Sequence, residues 1–562
     1  MEFSELIKTA TVEDVLLSRP GVAAVRGTLC ITSHHLLLSS CPRGDLELWL
    51  LIRNVDAVEK RVQNLGWYQP PRSGGSLRDT GVSGSSGTIT LRCKDLRVLQ
   101  LEIPGMEQCL NVASSIEALS SVDSVMMLYP FFHRPPGLRL QQGWHLGVAE
   151  RHLQRVAAQT SQWRLSTVNG DFSACPSYPR AVLVPAAVGD EAVAKAARFR
   201  QGGRFPVLCY FHPKNGTVSP SAFCPSAFCP CAFCPSVPLN GGFQLQRIPE
   251  SGDPKPNPLQ STKAHQTAHG SVPSARGRPL QESFARLAEA CGDPAPSMER
   301  WLGRLEGSRW LSHVKAALST ACLAAQCLDR EGCSVLVHGA EGTDTTLLVT
   351  ALAQLILDPA CRTLEGFQEL LEREWIQAGH PFQLRCARSA SSHARGKQEA
   401  PVFLLFLDCV WQLSRQFPFS LEFGEQLLLT LLDNAYASAY GTFLCNNEKE
   451  RSLCKVREST HSLWAWLNQP EEKDKYLNPL YSHNPLVIWP SVEPQSIQLW
   501  QGFFLRWIRP SQHLDEARVE IQRLVQGKNS SLQESTGKRL SQSLPESPAG
   551  TENGETGTAG TR

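Results

Sequence analysis

The 562-residue sequence predicts an α+β / α/β protein. A small N-terminal β-barrel or sandwich, closed by one helix, precedes a larger helix-rich α/β domain. Three observations carry that prediction. The first 125 residues hold aliphatic and β-branched runs parted by turn formers, then one amphipathic stretch. Residues 334–357, "SVLVHGAEGTDTTLLVTALAQLIL", read as a strand, a short glycine-containing loop and a helix. The chain around that unit is mostly helical in period, and a strand flanked by helices belongs to the α/β or α+β architectures.

In the N-terminal part the strand-forming runs are "GTLCITSHHLLLSS" (27–40), "LELWLLIRNVDAVEKR" (46–61) and "GTITLRCKDLRVLQLEI" (87–103). Pro42, Arg43 and Gly44 form one turn and Lys94–Asp95 another. The polar, glycine-rich stretch between the second and third runs reads as a surface loop. Pro104–Gly105 then opens a helix whose apolar residues Met106, Leu110, Ala113, Ile116 and Leu119 recur every three to four positions.

From about Trp144 the pattern changes. "DEAVAKAARFR" is helical and "RFPVLCYF" (204–211) is a buried strand. Next come three copies of a five-residue unit, "SAFCPSAFCPCAFCP" (221–235). Composition stays rich in Pro, Ser and Gly to about residue 280, so 217–280 is expected to be low-complexity and mostly disordered. Helical segments resume at "ESFARLAEACG" and dominate to about residue 526. The tail, 527–562, is expected to be disordered.

Composition limits the function classes. A hydrophobic share of 42% and a charged share of 19% are ordinary for a soluble globular chain. The net charge of +2 gives no global attraction to nucleic acid, and no nucleic-acid partner is expected. The start, "MEFSELIKTA", carries acids and lacks an apolar h-region, so no signal peptide is expected. Acids interrupt the most apolar runs within about 18 residues, so no membrane span is expected. The 19 cysteines are then expected in a reducing compartment, most of them as free thiols. Cys322, Cys327, Cys333 and Cys409 lie among apolar neighbours, as small buried hydrophobes do.

The loop after the strand at 334–338 is shaped to hold a phosphate, because the first N–H groups of the following helix point into it. Its residues do not supply the chemistry. A Walker loop needs G-x4-G-K-[ST]; Gly339 and Gly342 are two residues short of that spacing and no lysine follows. A cysteine phosphatase needs His-Cys-x5-Arg, with a thiolate nucleophile and a guanidinium that grips phosphate. His338 fits that frame, but the nucleophile position is Gly339 and the arginine position is Thr345. The loop itself offers Glu341 and Asp344 no guanidinium, and both suit the helix dipole. The expected outcome is a structural turn capped by its own carboxylates; weak phosphate binding through backbone N–H groups is the alternative.

Other clusters have plain readings beside functional ones. Cys224, Cys229, Cys231 and Cys234 show C-x-C and C-x2-C spacings, which can hold zinc but here arise from copying one unit. His34–His35 reads as a strand pair with one ring in and one out; no third ligand is placed by spacing. Arg53, Lys60, Arg61, Arg92, Lys94 and Arg97 form either a solvated face or an anionic-lipid patch. Leu514, Ala517, Ile521 and Leu524 follow a/d spacing for under two heptads before Gly527 breaks it, short of a convincing coiled coil.

Taken together, the stretches "GTLCITSHHLLLSS", "FRQGGRFPVL", "WLSHVKAALSTACLAAQC", "SVLVHGAEGTDTT", "RTLEGFQELLEREWIQAGHPF" and "YASAYGTFLCNNE" resemble the myotubularin-related phosphatases, and most closely an inactive member. The resemblance covers most of 1–212 and 281–526. It implies a PH-GRAM β-barrel over 1–125 and a cysteine-phosphatase-like domain over 126–216 and 281–510. A short coiled-coil remnant would span 511–526. Active relatives remove the 3-phosphate of phosphatidylinositol 3-phosphate and of the 3,5-bisphosphate with a loop reading V-H-C-S-D-G-W-D-R-T. Laid on it, this chain keeps Val337, His338, Gly342, Asp344 and Thr346. It lacks the nucleophile at Gly339 and the arginine at Thr345, and differs at Ala340, Glu341 and Thr343. Asp344 matches the aspartate proposed as general acid in active relatives.

The family pattern also implies partners. Inactive members pair with active ones, such as myotubularin-related proteins 6, 7 and 8, and modulate their activity, stability or membrane targeting. The expectation is a regulatory pseudophosphatase without cofactor or metal, cytoplasmic or peripheral on endomembranes, with weak phosphoinositide contact and a homodimer as a further option. The alternatives are a stand-alone phosphoinositide-binding module, or a diverged paralogue with little function. Between Gly216 and about Gln281 the repeats replace strands and helices of the family's core.

Overall fold

The computed structural model describes residues 3–62, 86–144, 149–222, 244–248, 278–292, 297–338, 342–391, 398–508 and 523. Residues 1–510 form one compact unit.

The chain opens with a short helical turn, α1 (Phe3–Leu6), and then forms a seven-stranded antiparallel sheet. Its strands are β1 (Thr11–Arg19), β2 (Val22–Ile31), β3 (His35–Ser40), β4 (Leu46–Leu51), β5 (Val55–Val62), β6 (Ser86–Cys93) and β7 (Val98–Pro104). Their order is β4-β3-β2-β1-β7-β6-β5, so the expected barrel is present as a curled half-barrel. Alternation sets the inner face: in β6 and β7 Ile89, Leu91, Leu99, Leu101 and Ile103 are all fully buried.

α2 (Met106–Ser120) closes the open side. Its buried face is Cys109, Val112, Ala113, Ile116 and Leu119, while Met106 and Leu110 stay exposed. The expected stripe is therefore rotated by about one residue at its N-terminal end. Gly87 is required beneath it, because a Cβ there would stand 2.4 Å from Cys109 Sγ.

The second part contains α3 (Ala149–Gln159), the hairpin β8 (Trp163–Ser166) and β9 (Val182–Pro185), and α4 (Asp190–Arg198). A four-stranded sheet follows, made of β10 (Val207–Phe211), β11 (Val218–Ala222), β12 (Gln244–Ile248) and β13 (Ser334–His338). Around it stand α5 (Arg278–Gly292), α6 (Met298–Ser308), α7 (Trp310–Asp329), α8 (Thr345–Leu357), α9 (Leu364–Leu371), α10 (Phe382–Arg385), α11 (Val402–Gln416) and α12 (Glu425–Tyr436). The last turn of α9 widens into a π-helix, Glu372–Gln377. None of the described helices is long and apolar enough to cross a membrane.

Two strands correct the expected disorder of 217–280. β11 pairs with β13 in parallel and β12 pairs with it antiparallel, Gln244 opposite His338 and Ile248 opposite Ser334. β13 is thus paired on both edges, and the replaced segment does not leave the central strand open. Sequence period could not reveal this: β11, "VSPSA", and β12, "QLQRI", are short and carry few β-branched residues. The repeat cysteines Cys224, Cys229, Cys231 and Cys234 lie outside the described residues, as do Leu514, Ala517, Ile521 and Leu524.

One core unites β13, α7, α8 and α11, where α8 is buried from Thr346 to Leu357. A helix apolar all round belongs inside a large domain. Cys327 and Cys409 are buried in this core as expected, while Cys322 and Cys333 are half-buried.

The half-barrel joins the helical part through polar contacts. Asp56 accepts from the backbone N–H of Ser389 at 2.9 Å and of Ser391 at 3.0 Å. Arg388 donates to the Asp56 carbonyl, and Trp507 Nε1 to the Asp95 carbonyl.

Candidate functional site: the loop between β13 and α8

β13 delivers the chain to the N-terminus of α8 at the edge of the core. His338 ends the strand; Gly339, Ala340 and Glu341 lie outside the described residues. Gly342 is left-handed, with φ +71°, a conformation that favours glycine. Thr343 and Thr345 are half-buried, and Asp344 and Thr346 are buried.

Three side chains distant in sequence hold this turn. Arg204, just before β10, donates from Nη2 to the Gly342 carbonyl and from Nη1 to Ser177 Oγ and the Ala378 carbonyl, each at 2.9 Å. Its guanidinium also lies 4.2 Å over the Tyr178 ring. His380 donates from Nδ1 to the Thr343 carbonyl at 2.8 Å. Arg385, at the end of α10, grips Asp344 with two parallel bonds, Nε to Oδ1 at 3.0 Å and Nη2 to Oδ2 at 2.8 Å. His380 Nδ1 approaches the same carboxylate at 3.3 Å.

The expected self-capping is corrected for Asp344, while Glu341, the other candidate cap, lies outside the described residues. Asp344 stands at the N-cap of α8 but makes no cap hydrogen bond with its side chain. Its backbone there is non-helical, with φ −128° and ψ −90°. The absence of a guanidinium within the loop is made good from outside, by Arg385. Burial alone would raise the Asp344 carboxyl; the hydrogen bonds and charges of His380 and Arg385 outweigh it and hold the group well below the usual carboxylate range. An aspartate so tied is a fixed anion and a poor proton donor.

Thr346 Oγ1 is buried without a hydrogen-bond partner in the protein. Thr350, one turn on, donates to the Thr346 carbonyl at 3.1 Å and also lies 3.3 Å from Glu374 Oε2 in the π-helix. Among the described residues no group of three or more His, Cys, Asp or Glu could hold a metal ion.

The basic residues of the half-barrel do not form one patch. Lys94, expected on a solvated or lipid-facing surface, is 1% exposed, with Nζ lacking a partner. Burial, followed by the charge of Arg53, lowers its pKa well below the ordinary lysine value. Arg53 donates to the Val122 carbonyl at 3.0 Å and the Ser120 carbonyl at 3.4 Å. Arg97 stacks 3.9 Å over Trp507 and pairs with Asp95. Arg53 and Arg97 are thus taken up by bonds, and Lys94 is buried. Lys60 pairs with Glu117 and Arg92 with Glu59 on the surface, and Arg61 is exposed. His34 and His35 also depart from the in-and-out expectation: His34 precedes β3, and both rings lie in an aromatic cluster with Tyr129.

A half-barrel followed by an α/β domain, with a phosphatase-shaped loop at β13–α8, defines a myotubularin-type architecture. The model of the myotubularin-like phosphatase domain matches residues 128–222 and 260–452, and the chain belongs to the myotubularin-related family. It is 57% identical over 557 residues to the myotubularin-related protein 9-like of Bos taurus, covering 93% of this chain and 96% of that one. To the myotubularin-related protein 9 of Homo sapiens it is 50% identical over 543 residues, with 94% and 95% covered. The phosphatidylinositol-3,5-bisphosphate 3-phosphatase MTMR6 of Homo sapiens is 30% identical over 544 residues, with 90% and 81% covered.

Sequence reasoning located the strand, loop and helix but missed Arg204, His380 and Arg385. The one available signal is chemical: a histidine and an arginine in "AGHPFQLRC", amid apolar segments, need partners if buried.

Proposed function

We propose that this protein is a catalytically inactive, phosphoinositide-phosphatase-like regulatory subunit that binds active myotubularin-related phosphatases and modulates their activity, stability or membrane targeting. The observation that carries the proposal is the loop. Gly339 and Thr345 stand where thiolate and guanidinium chemistry is needed, and Asp344 is gripped by Arg385. Glycine cannot attack phosphorus, and a threonine hydroxyl cannot replace a bidentate guanidinium. What persists is a family-sized folded body, suited to binding another protein.

MTMR6 of Homo sapiens, MTMR7 of Pongo abelii and MTMR8 of Gallus gallus bear phosphatase names and match this chain at 30–31% identity, which makes proteins of that group the partners to test. Lipid contact through the half-barrel is a minor part of the reading, since Arg53 and Arg97 are bonded internally and Lys94 is buried. The reading includes a cytoplasmic protein, peripheral on endomembranes, as the family resemblance implies.

The test is co-purification of the full chain with each active relative, together with phosphate release from phosphatidylinositol 3-phosphate. Enrichment of a partner and no release by the chain alone support the proposal. Release by the purified chain would overturn inactivity, and failure to enrich any active relative would overturn the adaptor role.

A further inference from the structure

Four histidines converge where the half-barrel meets the helical part. His35 opens β3 and His34 immediately precedes it. His133 follows the 3-10 turn Tyr129–Phe131, and His461 lies between the short helices Val456–Ser459 and Leu463–Leu467. The Tyr129 ring sits 4.5 Å from His35, 5.3 Å from His34 and 5.2 Å from His133, centroid to centroid. Tyr129 Oη is 3.2 Å from His133 Nδ1. His133 in turn meets Tyr440 edge to face at 5.4 Å. Ring contacts run unbroken from the sheet to the helical part.

The ring nitrogens here are poorly served. His34 Nε2, His133 Nε2 and His461 Nδ1 are buried with no hydrogen-bond partner in the protein. A neutral imidazole can leave one nitrogen as a bare acceptor, whereas an imidazolium needs acceptors at both. A proton added to His34, His133 or His461 therefore strands a donor.

The charged surroundings act the same way. His34 faces His35; His133 faces His461, His35 and Arg134; His461 faces Arg134, against a hydrogen bond to the Arg139 backbone that favours its charged form and is outweighed. All of these neighbours are cationic when charged. The nearby carboxylates act on other groups, Asp123 on Arg53 and Glu472 on Tyr440. Tyr129, Tyr440, Cys386 and Cys445 are kept neutral by burial. A cavity of about 70 Å³ beside the cluster is lined by His34, Arg53, Tyr129, Cys386, Tyr436 and Tyr440, and it gives the seam room to hydrate when it opens.

We propose that this histidine seam is an acid-sensitive latch, in which protonation of His34, His35, His133 and His461 loosens the half-barrel from the helical part. Burial lowers all four imidazoles, that of His34 to about 4. Such groups stabilise the closed seam fully above the unfolded value near ~6.5, and that contribution is lost as pH falls from there toward the folded value. The latch depends on the seam alone and stands or falls separately from partner binding.

Hydrogen exchange of the full chain at about pH 7.5 and about pH 5.5, corrected for intrinsic rates, reads the latch. Opening of the 33–37, 129–134 and 460–463 segments is expected to rise roughly three- to tenfold at the lower pH, the lower figure allowing for the partial exposure of His34. The His34→Gln/His133→Gln variant should lose most of that rise, while His483→Gln, outside the cluster, should keep it. Equal seam opening at the two pH values overturns the latch, as does an undiminished rise in the double variant. If the double variant does not fold, His133→Gln alone is read: a reduced rise supports the latch and a full one overturns it.

Discussion

Removing Arg385 should cost more than removing both it and its partner. Asp344 is 6% exposed, and its carboxylate receives both arms of the guanidinium at 2.8 and 3.0 Å. In Arg385→Ala the anion stays buried, with only His380 at 3.3 Å to offset it. Breaking one side of a buried pair costs about 3–5 kcal/mol, because the stranded charge keeps its desolvation penalty. Asp344→Asn leaves a neutral acceptor in the same place and should cost about 1–3 kcal/mol. In the double variant Asp344→Asn/Arg385→Leu no charge is stranded, so its loss should be smaller than that of Arg385→Ala alone. Native-state hydrogen exchange in α8 and α10 measures these opening free energies directly. A loss below about 0.5 kcal/mol in Arg385→Ala, or single losses that simply add in the double variant, would refute the strut. The pH behaviour is a second check. The folded carboxyl lies below its unfolded value, so its contribution is fully present above about pH 4 and lost as pH falls through the folded value.

Three further outcomes follow from buried groups. Asp408 accepts from Trp310 Nε1 at 2.8 Å in the core, and burial raises its carboxyl to about 6. With the folded value above the unfolded one, stability falls as pH rises through 4 to 6, so Asp408→Asn should gain about 1–3 kcal/mol near pH 7.5 and lose that advantage near pH 4, as read by urea unfolding. Lys94→Met removes a buried, unpartnered amine and should raise stability by about 1 kcal/mol while leaving vesicle binding unchanged; weaker vesicle binding would restore Lys94 as a lipid contact. Gly366→Ala should destabilise by about 2 kcal/mol or more, against the usual gain in a helix, because its Cβ would stand 1.9 Å from the Ala360 carbonyl oxygen; a stabilised variant by thermal melting would contradict that packing.

Local pattern revealed most of the elements and little of their mutual placement. β6, the turn at Lys94–Asp95, and β7 follow from alternation, as α8 and α11 do from apolar period. β1 escaped because Asp14, at φ 57°, makes a bulge between Val12 and Val15 and breaks the period of two. The stretch 46–61 read as one run, but a 3-10 turn at Ile52–Asn54 splits it into β4 and β5 at opposite edges of the sheet. At the loop, spacing identified what was missing but could not show what had replaced it. Arg204 lies 138 residues from Gly342 and Arg385 lies 41 from Asp344, and no local period connects such pairs. Lys94 shows the same limit: a lysine in a turn reads as solvated until another part of the chain covers it.

The placement of the SAFCP units, the first starting inside β11 and the other two between β11 and β12, bears on how this gene can change. Both flanking strands are pinned to β13, one on each side; the first unit lends Ser221 and Ala222 to that pairing, and neither strand includes any residue of the second and third units, 226–235. Lengthening a connection costs only about 0.6 kcal/mol per doubling, so one more five-residue copy adds about 0.2 kcal/mol. Slippage during replication could add or delete copies with scarcely any penalty for folding, and selection on stability would not see the difference. Individuals and species should therefore differ in copy number here while the residues of β11, β12 and β13 stay fixed in register.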